Sequence, residues 1–258
     1  MPEAAGLRYE LHGGGSTGMG RPPLVLIHGA GGRSLSWPPN LRRLHGWAVF
    51  ALDLPGHGGS PGPGQSTIAA YRAAVERWMD ALGLSPAVAV GHSMGGALAV
   101  SLALDSPTRV AGLALMGTGA RLRVNPMLLE ATRPGGTAAE ALTGLTSAWY
   151  SQVSSPRLRD LVARSLEATD PGVLHGDFQA CDSFDVMDRL SAIGQPALVV
   201  VGEDDQMTPV KYARYLSDHL TGARLEIVPR AGHMVMLEQP AAVERILIDW
   251  LTSTFPPG

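Results

Sequence analysis

Cysteine is almost missing from this chain of 258 residues: Cys181 stands alone, so no intrachain disulfide can form and the fold does not depend on an oxidising compartment. Lysine is as scarce, with Lys211 alone against nineteen arginines, and neither basic nor acidic residues form a run. With a net charge of -3 and an isoelectric point near 6.2, the chain lacks the electrostatic footprint of a nucleic-acid binder. Long apolar runs are missing too. They reach only 4 to 8 residues, against the roughly 18 to 20 that a membrane helix needs. Met1 to Gly20 has no basic start followed by an apolar core, so it does not read as a signal peptide. These absences lead us to expect a soluble cytoplasmic protein, a monomer or small homo-oligomer, with no nucleic-acid or membrane partner.

What is present is an alternation of short apolar strands and helical patterns. Leu7 to Leu11 reads as an edge strand, and Leu24 to Ile27, Trp47 to Leu52, Ala87 to Val90 and Val110 to Met116 as buried strands. Between them Ser34 to Leu44, Thr67 to Leu82 and Met94 to Asp105 have helical spacing. This predicts an α/β fold with a mostly parallel central sheet and helices on both faces. After Gly119 the rhythm changes. Arg121 to Leu190 is helical in composition, broken by Pro126, Pro134-Gly135-Gly136, Pro156 and Pro171-Gly172, with no strand candidate. It reads as a helical cap, residues 121–190, inserted in a core made of residues 1–120 and 191–258. Ala197 to Val201 and Leu225 to Val228 then resume the sheet, flanked by helices over Val210 to His219 and Pro240 to Leu251.

The chemistry concentrates where strands end. Val88 to Gly96 reads Val-Ala-Val-Gly-His-Ser-Met-Gly-Gly, a buried strand that runs through Gly91-x-Ser93-x-Gly95 into a helix. A strand that turns this sharply strains the residue at the turn, and glycines two positions to either side relieve the crowding and leave the Ser93 hydroxyl exposed. Serine is also a favoured helix N-cap, but a cap explains neither the glycines nor the preceding strand. A hydroxyl is a weak nucleophile at neutral pH and needs a base with a group to orient it. The strand over residues 199–201 opens into Gly-Glu-Asp-Asp-Gln-Met-Thr-Pro, and the strand after Arg224 ends in Pro-Arg-Ala-Gly-His, so His233 is the candidate base. Glu203, Asp204 and Asp205 are all candidates for the acid.

Five segments, each after an apolar strand, carry a resemblance to the capped branch of the α/β-hydrolase fold. They are His28-Gly29-Ala30-Gly31-Gly32, Asp53-Leu54-Pro55-Gly56-His57-Gly58-Gly59-Ser60, Gly91-His92-Ser93-Met94-Gly95-Gly96, Gly202-Glu203-Asp204-Asp205 with Pro209, and Gly232-His233. One alone would be weak in a chain with 32 glycines; five in order are not. The resemblance implies a Ser93, Asp205, His233 triad, with Asp205 selected among the three acids by family spacing. It also implies an oxyanion hole from the backbone N–H groups of Ala30 and Met94. The activity it implies is carboxylic-ester hydrolysis of small to medium apolar esters, with no cofactor. Alternatives on the same triad are a lactonase, a carbon-carbon bond hydrolase or a perhydrolase; a non-catalytic ligand receptor is the alternative of another kind.

Substrate contacts are expected from Trp37 and Met94 near the site and from Trp149 in the cap, whose other apolar residues include Leu142, Leu145, Leu166 and Phe178. Arg121 and Arg123 read as solvated surface. His28 and His57 read as residues that orient backbone, and His92 as an occupant of a variable position. His175 and Cys181 are too few for a metal site, so no metal is expected.

Overall fold

In a computed structural model the structure describes residues 1–13, 20–133 and 149–257. The Pro134-Gly135-Gly136 break, Leu142 and Leu145 lie outside the described residues. Eight strands form one sheet in the order β1-β2-β4-β3-β5-β6-β7-β8. They are β1 (Glu3–Ala4), β2 (Leu7–His12), β3 (Leu24–Ile27), β4 (Val49–Leu52), β5 (Ala87–His92), β6 (Val110–Met116), β7 (Ala197–Gly202) and β8 (Arg224–Val228). The pairs β1·β2 and β2·β4 are antiparallel, and every pairing from β4 to β8 is parallel. The strand expected at the edge therefore has a neighbour on each side, because the two-residue β1, too short to show a period, covers it.

The central strands are apolar on both faces because helices cover both. Successive residues of a strand point to opposite sides, so in β3 Val25 and Ile27 join one apolar layer while Leu24 and Leu26 join the other. The first layer is closed by α2 (Ile68–Leu82), α3 (Met94–Asp105) and α7 (Val210–His219), and the second by α1 (Pro39–Arg42) and α9 (Pro240–Thr254). In α2 the buried residues Ile68, Tyr71, Ala74, Val75, Trp78 and Met79 recur at helical spacing. Thr67 caps its start, its hydroxyl accepting from Ala70 N, and Gly83 ends it in the left-handed conformation (φ 63°). Truncating a side chain buried as fully as Trp78 to alanine costs about 3–5 kcal/mol.

The helix expected over Ser34 to Leu44 is broken in two. A 3-10 turn at Ser34–Ser36 and the four-residue α1 are separated by Trp37 and Pro38, and Pro38 sits in extended backbone (ψ 150°) because the following Pro39 disfavours the helical region for it. Between β6 and β7 lie α4 (Pro126–Thr132), α5 (Pro156–Glu167) and α6 (Pro171–Asp182), with no strand among the described residues. A short α8 (Val235–Glu238) precedes α9. No helix among the described residues is long and apolar enough to cross a membrane.

Candidate active site

Ser93 sits between β5 and α3 with φ 52° and ψ -118°, a left-handed conformation that costs about 1–3 kcal/mol and persists only where its surroundings enforce it. The enforcement is visible. Ser93 N–H donates to Met116 O on β6, and the Ser93 carbonyl accepts from the Thr118 hydroxyl and from Gly96 N–H. The flanking glycines are required by close approach. A Cβ on Gly95 would stand 2.1 Å from the Ile27 carbonyl oxygen, and one on Gly91 2.2 Å from that of Gly95. The strained turn thus lifts Ser93 off the sheet while α3 stays packed against β3.

His233 and Asp205 arrive from the ends of β8 and β7. His233 Nδ1 lies 3.0 Å from Asp205 Oδ2, and both residues are buried. A carboxylate can only accept, so Nδ1 carries the proton and the lone pair is left on Nε2. The Thr208 hydroxyl also donates to Asp205 Oδ2 (2.8 Å), while Oδ1 accepts from the backbone N–H groups of Met207 and Thr208, both at 2.9 Å. Burial by itself would raise the Asp205 carboxyl; the charge of His233 and the hydrogen bonds from His233 and Thr208 outweigh it and hold it below its usual range. Asp204, its rival, points elsewhere and accepts from the Ser151 hydroxyl. Glu203 is exposed.

Ser93 and His233 both line one cavity of about 560 Å³, which Gly29, Ala30 and Gly31 enter from the loop after β3. That loop packs directly on the serine: a Cβ on Gly29 would be 3.1 Å from Ser93 Cβ. Met94 is the first residue of α3, so its N–H has no acceptor within the helix. Trp149, Leu166 and Phe178, which lie between β6 and β7 in the chain, form part of the wall.

Two expected contacts are corrected. Trp37 does not line the cavity; it is 1% exposed and packs with Leu24, Leu41 and Trp47 beneath the sheet, because the proline pair that breaks the helix turns it inward. The Met94 side chain is likewise fully buried in the apolar layer under α3, leaving only its backbone for the site. Arg123, read as plain surface, forms part of the cavity rim, whereas Arg121 pairs with Asp185 at 3.7 Å.

His28 and His57 do hold backbone. Leu54 N–H donates to His28 Nε2 (3.0 Å), so Nδ1 must donate to Gly29 O (2.8 Å); burial and the neighbouring His57 lower its pKa to about 3. His92 has a definite partner that its position in the motif did not reveal. Its Nε2 donates to the His233 carbonyl (2.9 Å), while burial and His233 lower its pKa to about 3. His233 N–H donates to Trp149 O at 2.7 Å, so His233 is clamped on both sides of its backbone. Thr208 was within reach of sequence reasoning, lying in the acidic loop before Pro209. Cys181 lines the cavity, but burial and Asp177 push its thiol up, so it is no thiolate nucleophile. Among the described residues no three His, Cys, Asp or Glu side chains group as metal ligands.

Known proteins share this arrangement of chain. The alpha/beta hydrolase fold family matches residues 22–240. Over 246 residues the chain is 35% identical to the dihydrolipoyllysine-residue acetyltransferase component of the acetoin cleaving system of Cupriavidus necator, covering 90% of this chain but only 63% of that protein. It is 30% identical over 246 residues to the pimeloyl-acyl-carrier-protein methyl ester esterase of Neisseria meningitidis, covering 88% of this chain and 93% of the esterase. Among solved structures, the enol-lactonase of Burkholderia xenovorans aligns with a TM-score of 0.85 at 26% identity, over 95% of this chain and 96% of the lactonase. The chain belongs to the alpha/beta hydrolase fold family and is a hydrolase of that fold.

Proposed function

We propose that the chain is a serine carboxylic-ester hydrolase acting on small to medium apolar esters, with Ser93 as nucleophile, His233 as base and Asp205 as the group that orients it. The observation that carries this reading is the buried 3.0 Å contact of Asp205 with His233, whose ring shares a cavity with the strained Ser93. Ser93 Oγ attacks the ester carbonyl as His233 Nε2 takes its proton, giving a tetrahedral oxyanion. His233 then protonates the departing alcohol and leaves an acyl group on Ser93; water, deprotonated by the same nitrogen, releases the acid and regenerates the serine. The N–H groups of Ala30 and Met94 serve the oxyanion, each contributing about 2.7–4 kcal/mol of barrier lowering. Residues 121–190 act as a cap, with Trp149 against the substrate.

A second reading concerns the acyl group. Arg33, Arg42 and Arg123 line the cavity with no Asp or Glu among the described lining residues, and of the three only Arg42 pairs with a carboxylate, that of Glu10 outside the cavity lining, among the described residues. That favours a lactone or ester bearing a carboxylate. The test is a p-nitrophenyl ester series from acetate to laurate, extended by the succinate half-ester, on wild type and Ser93→Ala. Turnover lost in the variant supports the reading, and the best acyl group decides between the two. Turnover retained in the variant refutes both.

A further inference from the structure

Asp177 is a charged side chain, fully buried, that the hydrolytic cycle does not use. It is carried by α6 of the insertion, yet all its partners belong to the core. Oδ2 accepts from Gly31 N–H (2.8 Å) and from His57 Nε2 (2.8 Å), and Oδ1 accepts from the Tyr71 hydroxyl. His57 presents its other nitrogen to the Pro55 carbonyl at 3.0 Å, so both ring nitrogens face acceptors. Two acceptors favour the doubly protonated ring: burial opposes its protonation, and the charge and hydrogen bond of Asp177 outweigh that and raise its pKa. A buried ion pair is a poor source of stability compared with apolar packing of the same volume, so its presence asks for another reason.

The reason lies at Gly31. Its N–H is taken by Asp177, and its carbonyl lies 3.1 Å from the hydroxyl of Thr169, two residues beyond α5, whose single proton it shares with Ser165 O at the same distance. Gly31 has φ +62°, and a Cβ there would stand 2.6 Å from Leu166 of α5. Both polar groups of Gly31 thus meet side chains carried by the segment between β6 and β7. The Ala30 N–H lies in the peptide whose carbonyl, Gly29 O, accepts from His28 Nδ1 (2.8 Å) and Gly32 N–H (3.0 Å), both in the core; the Asp177 bond fixes the following peptide, between Ala30 and Gly31, and so holds Ala30 from its other side.

Resting on the reading of Ala30 as an oxyanion donor, we propose that Asp177 and Thr169 are positioning residues: the insertion completes the oxyanion hole by holding Gly31, and through it the Ala30 N–H. Asp177→Asn keeps size and shape but supplies one acceptor oxygen where three donors converge. The measurements are kcat and KM for p-nitrophenyl butyrate, the affinity of a boronic acid that becomes tetrahedral on Ser93, and the affinity of a planar amide that does not. For Asp177→Asn we expect kcat about 100-fold lower with KM within about threefold, boronate affinity falling in step and amide affinity unchanged. Thr169→Val should lose about tenfold in kcat, and the double variant should lose less than the product, since both act through Gly31. A folded Asp177→Asn with wild-type kcat and boronate affinity overturns the proposal, as does a parallel loss of boronate and amide affinity, which a purely structural role would give. If Asp177→Asn does not fold, Thr169→Val decides by the same ratio. Should the wild type turn over while Ser93→Ala does not, an unaffected Asp177→Asn refutes this proposal alone. A wild type that neither turns over nor binds boronate refutes the serine-hydrolase reading and this proposal with it.

Discussion

Replacing Asp205 by asparagine separates its two tasks, because the four donors around it leave an amide no good orientation. If the amide oxygen keeps the Oδ1 site, it satisfies the N–H groups of Met207 and Thr208, each 2.9 Å away, and its NH2 faces His233 Nδ1. Nδ1 must then accept, so the imidazole proton moves to Nε2 and the nitrogen facing the cavity can no longer take the proton of Ser93. The opposite orientation sets an NH2 against two backbone N–H groups, losing two hydrogen bonds at about 1–3 kcal/mol each, and is disfavoured. The fold should survive, since the favoured orientation keeps the backbone bonds. The rate should not: a wrong tautomer lowers kcat by about 10⁴, or about 5.5 kcal/mol of barrier. The assay is kcat on a p-nitrophenyl ester, with melting temperature as the check on folding. Asp204→Asn, which disturbs only the contact with Ser151, should stay within about threefold of wild type. A folded Asp205→Asn that retained a tenth of the wild-type kcat, or a larger loss at Asp204, would refute the reasoning.

Gly95→Ala should prevent folding or cost more than about 3 kcal/mol, because its Cβ meets backbone oxygens of Ile27 at 2.1 Å and His28 at 2.6 Å, whereas Gly194→Ala, with nothing within 4 Å, should stay within about 0.5 kcal/mol; equal melting temperatures would contradict this. Stability should also peak near pH 6.5. His28 and His92 are neutral in the fold down to about pH 3 but titrate near 6.5 when unfolded, so acid favours the unfolded chain, with a slope approaching about 2.7 kcal/mol per pH unit for the two rings together. His57 has the opposite sign: its raised pKa contributes stability that is present below 6.5 and lost as the pH climbs through the folded value. Thermal unfolding from about pH 5 to about pH 8.5 reads both arms, and a stability that kept rising above pH 7 would contradict the second.

The residues legible in the sequence are those whose constraint is local. The Gly91-x-Ser93-x-Gly95 spacing exists because a helix must leave a strand within one residue, and the clash distances at both glycines are that constraint made visible. His233 and the acidic loop were readable because each directly follows an apolar strand. Choosing Asp205 over Asp204 needed family spacing, since the difference is only in which way each side chain points. Trp37 failed for a related reason: nearness in sequence to the glycine loop says nothing about the side of the chain on which an indole lies, and the break at Pro38 sent it inward. Asp177 was out of reach, because its bond to Gly31 spans 146 residues and no pattern in α6 announces it.

The central claim is an acyl-enzyme on Ser93, and intact-protein mass spectrometry after treatment with a fluorophosphonate tests it most directly. The account requires one adduct per chain, carried by the peptide containing Ser93, absent in Ser93→Ala and strongly slowed in His233→Ala. An adduct on another residue, or ester turnover by a protein that Ser93→Ala leaves active, would contradict it.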